Sequence, residues 1–203
     1  MYKSKEIRWF TDRESKYITS WFSEQKLDFA SAEPRTDFYL PLPQDDLSVK
    51  LREGRIEFKK RTGTLAHHNL TATANGLFEE WVKWSFLVDK SDLLAHEITY
   101  ERKFDWIETI KTRIGLIITL DRMNKPGLVP IHTYVPFGCQ VEYTEIIVDQ
   151  KTYYSFALEW FGAKHIEVNP GFMSEILGNT VLEEECSMSY AEFLLKTAKS
   201  FNK

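Results

Sequence analysis

Charged and apolar side chains alternate along two adjacent segments of this 203-residue chain. From Leu47 to Arg52 the odd positions are aliphatic and the even positions are Ser, Lys and Arg, and a similar alternation runs from Arg55 to Arg61. Because successive side chains on a strand point to opposite faces, each segment has one apolar and one charged face. The intervening Glu53-Gly54 is typical of a tight turn. These residues predict an antiparallel hairpin with a charged face.

The same alternation recurs farther along the chain. Phe, Trp and Tyr make up 14% of the residues, which favours a β-rich core. We predict a first strand over Glu6–Phe10 and five more over residues 47–53, 55–62, 108–120, 140–148 and 153–161. Residues 76–88 fit both helix and strand periodicity, and their Trp, Phe and Val content favours a strand.

Helices are predicted near both ends of the sequence. Thr11 and Glu14 have the spacing of a capping box, which predicts a helix from Asp12 to Glu24. Ser189 and Glu192 repeat that spacing, which predicts a last helix from Ser189 to Phe201. A short helix over residues 172–177 follows the turn at Asn169. The predicted loops are residues 32–35, 41–46, 63–75 and 123–130. We expect one domain, residues 1–203, of the α+β class.

Composition excludes several classes of protein. The longest apolar run, Ile114–Leu120, is too short to cross a bilayer, and the charges of Met1–Glu6 are not followed by the apolar stretch of a signal peptide. Cys139 and Cys186 are too few for a disulfide scaffold. A net charge of -4 argues against nucleic acid as a partner. We therefore expect a cytoplasmic protein without membrane or nucleic-acid partners. The sequence predicts no particular oligomeric state.

The charged faces allow two architectures. In one, a half-exposed antiparallel sheet presents its polar face to water. In the other, the sheet closes into a barrel with a charged lumen and helices packed outside. Basic residues occur as like-charged pairs on one face, whereas solvated faces usually mix signs, and this favours the barrel. The pairs are Lys50 and Arg52, Lys59 and Arg61, and Lys111 and Arg113.

Several segments in order resemble the CYTH superfamily, the triphosphate tunnel metalloenzymes. An Asp-x-Tyr strand of that family is similar to Asp37-Phe38-Tyr39, and the family's opening Glu-x-Glu-x-Lys strand is similar to residues 6–10. The remaining similar segments are the basic strands 47–52, 56–61 and 106–113 and the acidic strands 139–142 and 156–159. The resemblance implies an antiparallel tunnel barrel that holds a triphosphate.

The resemblance also implies a divalent cation, Mg²⁺ or Mn²⁺, held by glutamates. Hard cations of this kind prefer carboxylate and phosphate oxygens. The implied metal ligands in this chain are Glu6, Glu142 and Glu159. Arg8 replaces the second glutamate of the opening strand and Phe10 replaces its lysine, so the metal half of the site is incomplete.

An enclosed lumen of this kind would carry more positive than negative charge. The four carboxylates expected inside are Glu6, Glu57, Glu142 and Glu159. The seven basic residues expected to bind phosphate are Arg8, Lys50, Arg52, Lys59, Arg61, Lys111 and Arg113. A polyphosphate or another phosphorylated small molecule would offset the excess. Alternatively, the carboxylates pair with the bases inside a sealed barrel.

Two functions follow from these expectations. The first is a metal-dependent hydrolase of a triphosphate-containing compound, in which the bases hold phosphate and the metal polarises the phosphoryl group. The second is a binding module that lacks the metal half of the site. No residue is assigned a catalytic role from the sequence.

Overall fold

A computed structural model describes residues 1–63, 66–89, 91–121 and 123–201 of the chain. Its strands are β1 (Tyr2–Thr11), β2 (Arg35–Tyr39), β3 (Leu47–Arg52), β4 (Arg55–Arg61), β5 (Ala66–Thr71), β6 (Ala74–Leu87), β7 (Ile107–Leu120), β8 (Pro126–Pro130), β9 (Phe137–Val148) and β10 (Lys151–Gly162). Its α-helices are α1 (Lys16–Glu24), α2 (Leu93–Thr99), α3 (Pro170–Leu177) and α4 (Tyr190–Phe201).

Eight of these strands form a closed antiparallel barrel in the order β1-β10-β9-β7-β2-β3-β4-β6. The barrel closes because β6 pairs back with β1, with Glu6 opposite Glu79. On its other side β1 pairs with β10, which places Glu6 opposite Glu159. The predicted α+β, β-rich barrel is confirmed. Residues 76–88, apart from Val88, belong to strand β6, as their composition favoured.

The apolar positions of β1, β9 and β10 face outward and form the main core. Trp9 and Leu158 are fully buried there. Helices α1 and α3 cover this side of the barrel, with Phe22 and Met173 also fully buried in the same cluster. Burial of each such side chain contributes about 1.5–3 kcal/mol, so the outward faces of these strands anchor the helices.

Helix α4 lies outside the barrel across one of its ends. Phe193 and Leu194 pack against Phe10 and Ile146, which point inward near that end. The rings of Phe10 and Phe193 stack with centroids 4.1 Å apart. Hydrophobic contacts therefore close this end of the lumen.

The first helix starts later than predicted. Strand β1 continues through Thr11, which pairs with Tyr154, so Thr11 cannot act as the helix N-cap. Ser15 is the N-cap instead, and its hydroxyl accepts a hydrogen bond from the Ile18 amide. At the other end, the Ser189 hydroxyl accepts from the Glu192 amide at 3.1 Å, as the predicted capping spacing requires.

Two predicted loops contain strands. Residues 63–75 include β5, which pairs with β6, and residues 123–130 include β8, which pairs with β7. Both lie off the closed barrel, and the polar His67-His68-Asn69 and the terminal prolines of β8 are tolerated because such strands need not be apolar. Thr64 and Leu65 of the first loop lie outside the described residues. Helix α2 was not predicted, although Asp92 caps its start.

Candidate functional site

The lumen contains a cavity of about 290 Å³, close to the smallest volumes typical of small-molecule sites. Eight basic side chains line it: Arg8, Arg35, Lys50, Arg52, Lys59, Lys83, Lys111 and Arg113. Four carboxylates line it: Glu6, Glu57, Glu142 and Glu159. Asp37 also points into the barrel, where it is fully buried beneath the cavity and pairs with three of the bases. With every group ionised, the described lumen has an excess of three positive charges.

Asp37 is the centre of the first cluster of charges. It lies 2.8 Å from Arg35, 3.2 Å from Lys50 and 3.3 Å from Lys111. Burial alone would raise its pKa, but Lys111 and Lys50 outweigh burial and hold the pKa of Asp37 well below its ordinary value. Asp37 is therefore ionised and binds three strands, β2, β3 and β7, together through their bases.

Glu142 is the centre of the second cluster. Arg8 lies 2.8 Å from its Oε1, and Arg113 lies 3.1 Å from its Oε2. The Gln140 amide also donates to Oε2, at 2.6 Å. Burial opposes ionisation here too, but Arg8 and Arg113 lower the pKa of Glu142 to about 2. Both carboxylate oxygens thus accept from the protein's own donors.

Glu6 and Glu57 form ion pairs with the bases of the remaining cavity wall. Lys59 donates to Glu6 at 2.7 Å and lies 5.2 Å from the Trp81 ring centroid. Glu57 lies 3.2 Å from Arg52 and 3.3 Å from Lys50. Each of these carboxylates already carries at least one cation of the protein.

Lys111 is the most enclosed base of the cavity. Its side chain is 4% exposed, its Nζ donates to the Tyr39 hydroxyl at 2.6 Å, and it lies 3.5 Å from the Tyr190 ring centroid. Burial lowers the pKa of Lys111 well below its ordinary value; Asp37 opposes this, and Lys50 adds to it. An added negative charge in the cavity would therefore favour its protonation.

Two buried side chains of the cavity wall each have a polar atom without a hydrogen-bond partner. The atoms are Arg8 Nε and Thr144 Oγ1, and the two residues are 5% and 1% exposed. Buried polar groups are nearly always satisfied, so these atoms are hydrogen-bonding capacity that the internal pairing of the lumen does not use. The Nε of Arg52 is also unbonded, with its nearest ion-pair oxygen on Glu53 at 3.6 Å.

The structure brings together six of the seven bases predicted to bind phosphate. Arg61 is the exception, because it does not line the cavity. It lies 2.8 Å from Glu79 and 3.0 Å from Asp45 instead. Burial and the nearby Glu6 raise the pKa of Glu79 to about 7, although Arg61 opposes this.

The three predicted metal ligands, Glu6, Glu142 and Glu159, all line the cavity. Across the described ranges, however, the structure contains no group of three His, Cys, Asp or Glu side chains arranged to hold a metal ion. Glu6 forms an ion pair with Lys59, and Glu142 forms ion pairs with the guanidinium groups of two arginines. In this arrangement the three residues do not fit a divalent cation.

Several cavity residues were not predicted from the sequence. Arg35 and Tyr39 alternate with the same period as Asp37 on β2, which was a usable signal. Lys83 lies in the segment whose periodicity was ambiguous. Tyr190 reaches the cavity from α4, and no local pattern could place it there, because that contact depends on how the helix packs.

A larger cleft of about 1140 Å³ adjoins the lumen. It exists because β2 has only five residues beside the fourteen of β7, so the wall ends early at Arg35. Arg35, Arg52, Lys111 and Arg113 line both spaces. A ligand could therefore place a charged group in the lumen and a larger group in the cleft.

Comparisons with known proteins do not assign the chain to a family. No protein-family model matches the sequence. No curated protein is found to be significantly similar to it. None of the helices in the described part of the chain has both the length and the apolar character needed to cross a membrane.

Proposed function

We propose that this protein binds a polyphosphorylated small molecule with its phosphates in the barrel lumen. The observation that carries the proposal is the excess of positive charge around one cavity, which is three with every group ionised and two with Lys111 neutral. The unpartnered Arg8 Nε and Thr144 Oγ1 are further donors on the same wall. The antiparallel eight-stranded barrel is compatible with the tunnel fold of the CYTH superfamily, and membership of that superfamily is part of the proposal.

Electrostatics favours a bound anion over an empty cavity. Two like charges about 6 Å apart repel by about 3 kcal/mol at an effective dielectric of 20. Uncompensated positive charges in one lumen therefore destabilise it, and a triphosphate relieves that repulsion. Arginines such as Arg52 and Arg113 can donate two hydrogen bonds to a phosphate, and Lys50 supplies a point charge.

Calorimetric titration with tripolyphosphate tests the proposal. We expect saturable binding that is tighter than for orthophosphate and weakens as the salt concentration rises, because the attraction is mainly electrostatic. Trimetaphosphate, a cyclic anion of lower charge, serves as a matched comparison. The absence of binding heat and of thermal stabilisation by all three anions would favour the sealed, internally paired barrel instead.

Ligand binding should also draw a proton into the lumen. An anion near Lys111 raises the pKa of that group from its lowered value, so up to about one proton is taken up per site, and affinity falls as pH rises. Trimetaphosphate is the suitable probe because it does not titrate near neutral pH. Titrations in buffers of different ionisation enthalpy measure the uptake. Lys111→Met should reduce it, and identical heats in every buffer would contradict the prediction.

Hydrolysis with Mg²⁺ or Mn²⁺ is the second candidate function. The observation that favours it is the register of β1, which places Glu6 opposite both Glu159 and Glu79 on neighbouring strands. Phosphate release from several triphosphates, with and without metal, tests this candidate. If hydrolysis occurs, Glu6→Gln should abolish phosphate release while leaving tripolyphosphate binding nearly unchanged. If phosphate is released with neither metal, the protein is a binding module without hydrolase activity.

A further inference from the structure

We infer that the lumen selects its polyphosphate in the metal-free form, with Arg8 supplying the positive charge that a divalent cation would otherwise supply. This inference rests on the proposed function and names the form of ligand that the site takes. The evidence for it is that cations of the protein already pair with carboxylates of the cavity.

The first step is the occupancy of Glu142. Its Oε1 faces Arg8 at 2.8 Å, and its Oε2 accepts from Arg113 at 3.1 Å and Gln140 at 2.6 Å. A cation that bound here would have to displace a buried guanidinium. Breaking a buried ion pair by separating its partners is strongly unfavourable, because each charge is left uncompensated.

The second step is that Arg8 is held in place. Its side chain is buried, its Nη1 also donates to Ser155 at 2.9 Å, and its guanidinium lies 4.8 Å from the Tyr190 ring centroid. It is fixed from β10 and from α4 as well as from Glu142 on β9. Its Nε is itself buried and has no hydrogen-bond partner.

The third step is the charge balance. With every group ionised, the described lumen has three more positive than negative charges, and it still has two more if Lys111 is neutral. A divalent cation would increase that excess. A polyphosphate that arrives with Mg²⁺ bound carries two fewer negative charges, so the lumen attracts it less than the free anion. Electrostatic complementarity therefore favours the free anion.

Titration of the unmodified protein with tripolyphosphate tests this directly. One series contains a chelator, and the other contains saturating MgCl₂ with NaCl adjusted to the same ionic strength. We expect an affinity at least about tenfold weaker with Mg²⁺, equivalent to about 1.4 kcal/mol. Equal or tighter binding with Mg²⁺ would overturn the inference. No binding in either series would instead overturn the proposed function.

Manganese alone gives an independent measurement. Electron paramagnetic resonance of free Mn²⁺ should be unchanged by the unmodified protein, because the described residues contain no carboxylate cluster arranged to hold it. Arg8→Glu removes the internal cation and adds a carboxylate beside Glu6 and Glu142. In this variant we expect Mn²⁺ binding and a reversed effect of Mg²⁺ on tripolyphosphate affinity.

Arg8→Gln is the matched control, since it removes the charge without adding a ligand. It should weaken metal-free tripolyphosphate binding without producing Mn²⁺ binding. If Arg8→Glu fails to fold, the unmodified protein and Arg8→Gln still decide the matter. Mn²⁺ binding by the unmodified protein would show that Arg8 does not exclude the cation.

Discussion

Replacing Asp37 by Asn should lower the free energy of unfolding by about 3–5 kcal/mol, the usual effect of removing one partner from a buried ion pair. Asp37 is fully buried and has ion-pair contacts with Arg35, Lys50 and Lys111. Without its charge, these bases repel one another across the junction of β2, β3 and β7. Chemical denaturation at neutral pH, followed by circular dichroism, measures the loss.

The acid dependence of stability gives a second readout of the same residue. Because the folded state lowers the pKa of Asp37, its contribution is present above the unfolded pKa and declines as pH falls below that value. Asp37→Asn should therefore flatten the acid side of the stability profile. Asp46→Asn, which removes an exposed partner of Lys60, is the control and should leave the unfolding midpoint nearly unchanged. Similar midpoints for both variants would contradict the prediction.

Tripolyphosphate should partly rescue Asp37→Asn. The anion replaces some of the lost negative charge near Lys50 and Lys111, both of which line the cavity. Its thermal stabilisation of the variant should therefore exceed its stabilisation of the unmodified protein. An equal effect on both proteins would indicate that the anion binds away from this cluster.

The barrel was predictable because its main signal is local. The alternation through β3 and β4 places Lys50 and Lys59 on one face whatever the rest of the chain does, and both residues line the cavity. Closure is not local. It depends on β6 pairing with β1, and β6 was the segment whose periodicity fitted helix and strand alike.

The errors at element boundaries have a common physical cause. The capping spacing at Thr11 is real, but the pairing of β1 with β10 extends through that residue and outweighs the local preference for a helix start. Likewise, β5 and β8 are strands because β6 and β7 supply hydrogen-bond partners, not because their own residues favour extended structure.

The site was only partly predictable for a different reason. Alternation says which side chains point inward, but not which charges meet. Lys50 and Arg61 share the inward phase, yet Lys50 faces the cavity while Arg61 contacts Glu79 and Asp45. Asp37 lies on the inward face of β2, but its role depends on Lys50 of β3 and Lys111 of β7 as well as on Arg35 of its own strand.

The sealed-barrel alternative accounts for most of the ion pairs but not for all of the charge. Internal pairing satisfies Glu6, Glu57 and Glu142. It leaves Arg8 Nε and Thr144 Oγ1 unbonded and leaves the lumen positively charged. The residual positive charge, rather than the pairs, is what a phosphate ligand would offset.

Replacing Arg52 by Ala should weaken tripolyphosphate binding about ten- to a hundredfold, through loss of about 1.5–3 kcal/mol of charge-assisted hydrogen bonding. Arg52 lines both the lumen and the cleft, so it lies where the two spaces meet. Stability should hold, because Glu57 keeps Lys50 at 3.3 Å and the lumen loses one of its excess charges. Calorimetry and chemical denaturation measure the two effects separately.

Arg61→Ala is the matched control, a second arginine removed from the adjacent strand of the same hairpin. Arg61 lies outside the cavity lining, so we expect tripolyphosphate affinity to change much less than in Arg52→Ala.

The stability of Arg61→Ala should fall instead, because Glu79 loses its cation. Arg61 opposes the raised pKa of Glu79, which is about 7, so its loss raises that pKa further. A raised folded pKa destabilises increasingly as pH rises from the unfolded pKa to the folded pKa and then levels off. In the unmodified protein this levelling occurs near pH 7, whereas in Arg61→Ala the loss continues to grow above it, so the deficit of the variant should be larger at pH 8 than at pH 6. Two outcomes would contradict these expectations. If Arg52→Ala unfolds while its folded fraction keeps full affinity, Arg52 is a structural partner of Glu57 and not a phosphate ligand. If Arg61→Ala loses as much affinity as Arg52→Ala, the ligand reaches beyond the cavity toward α4.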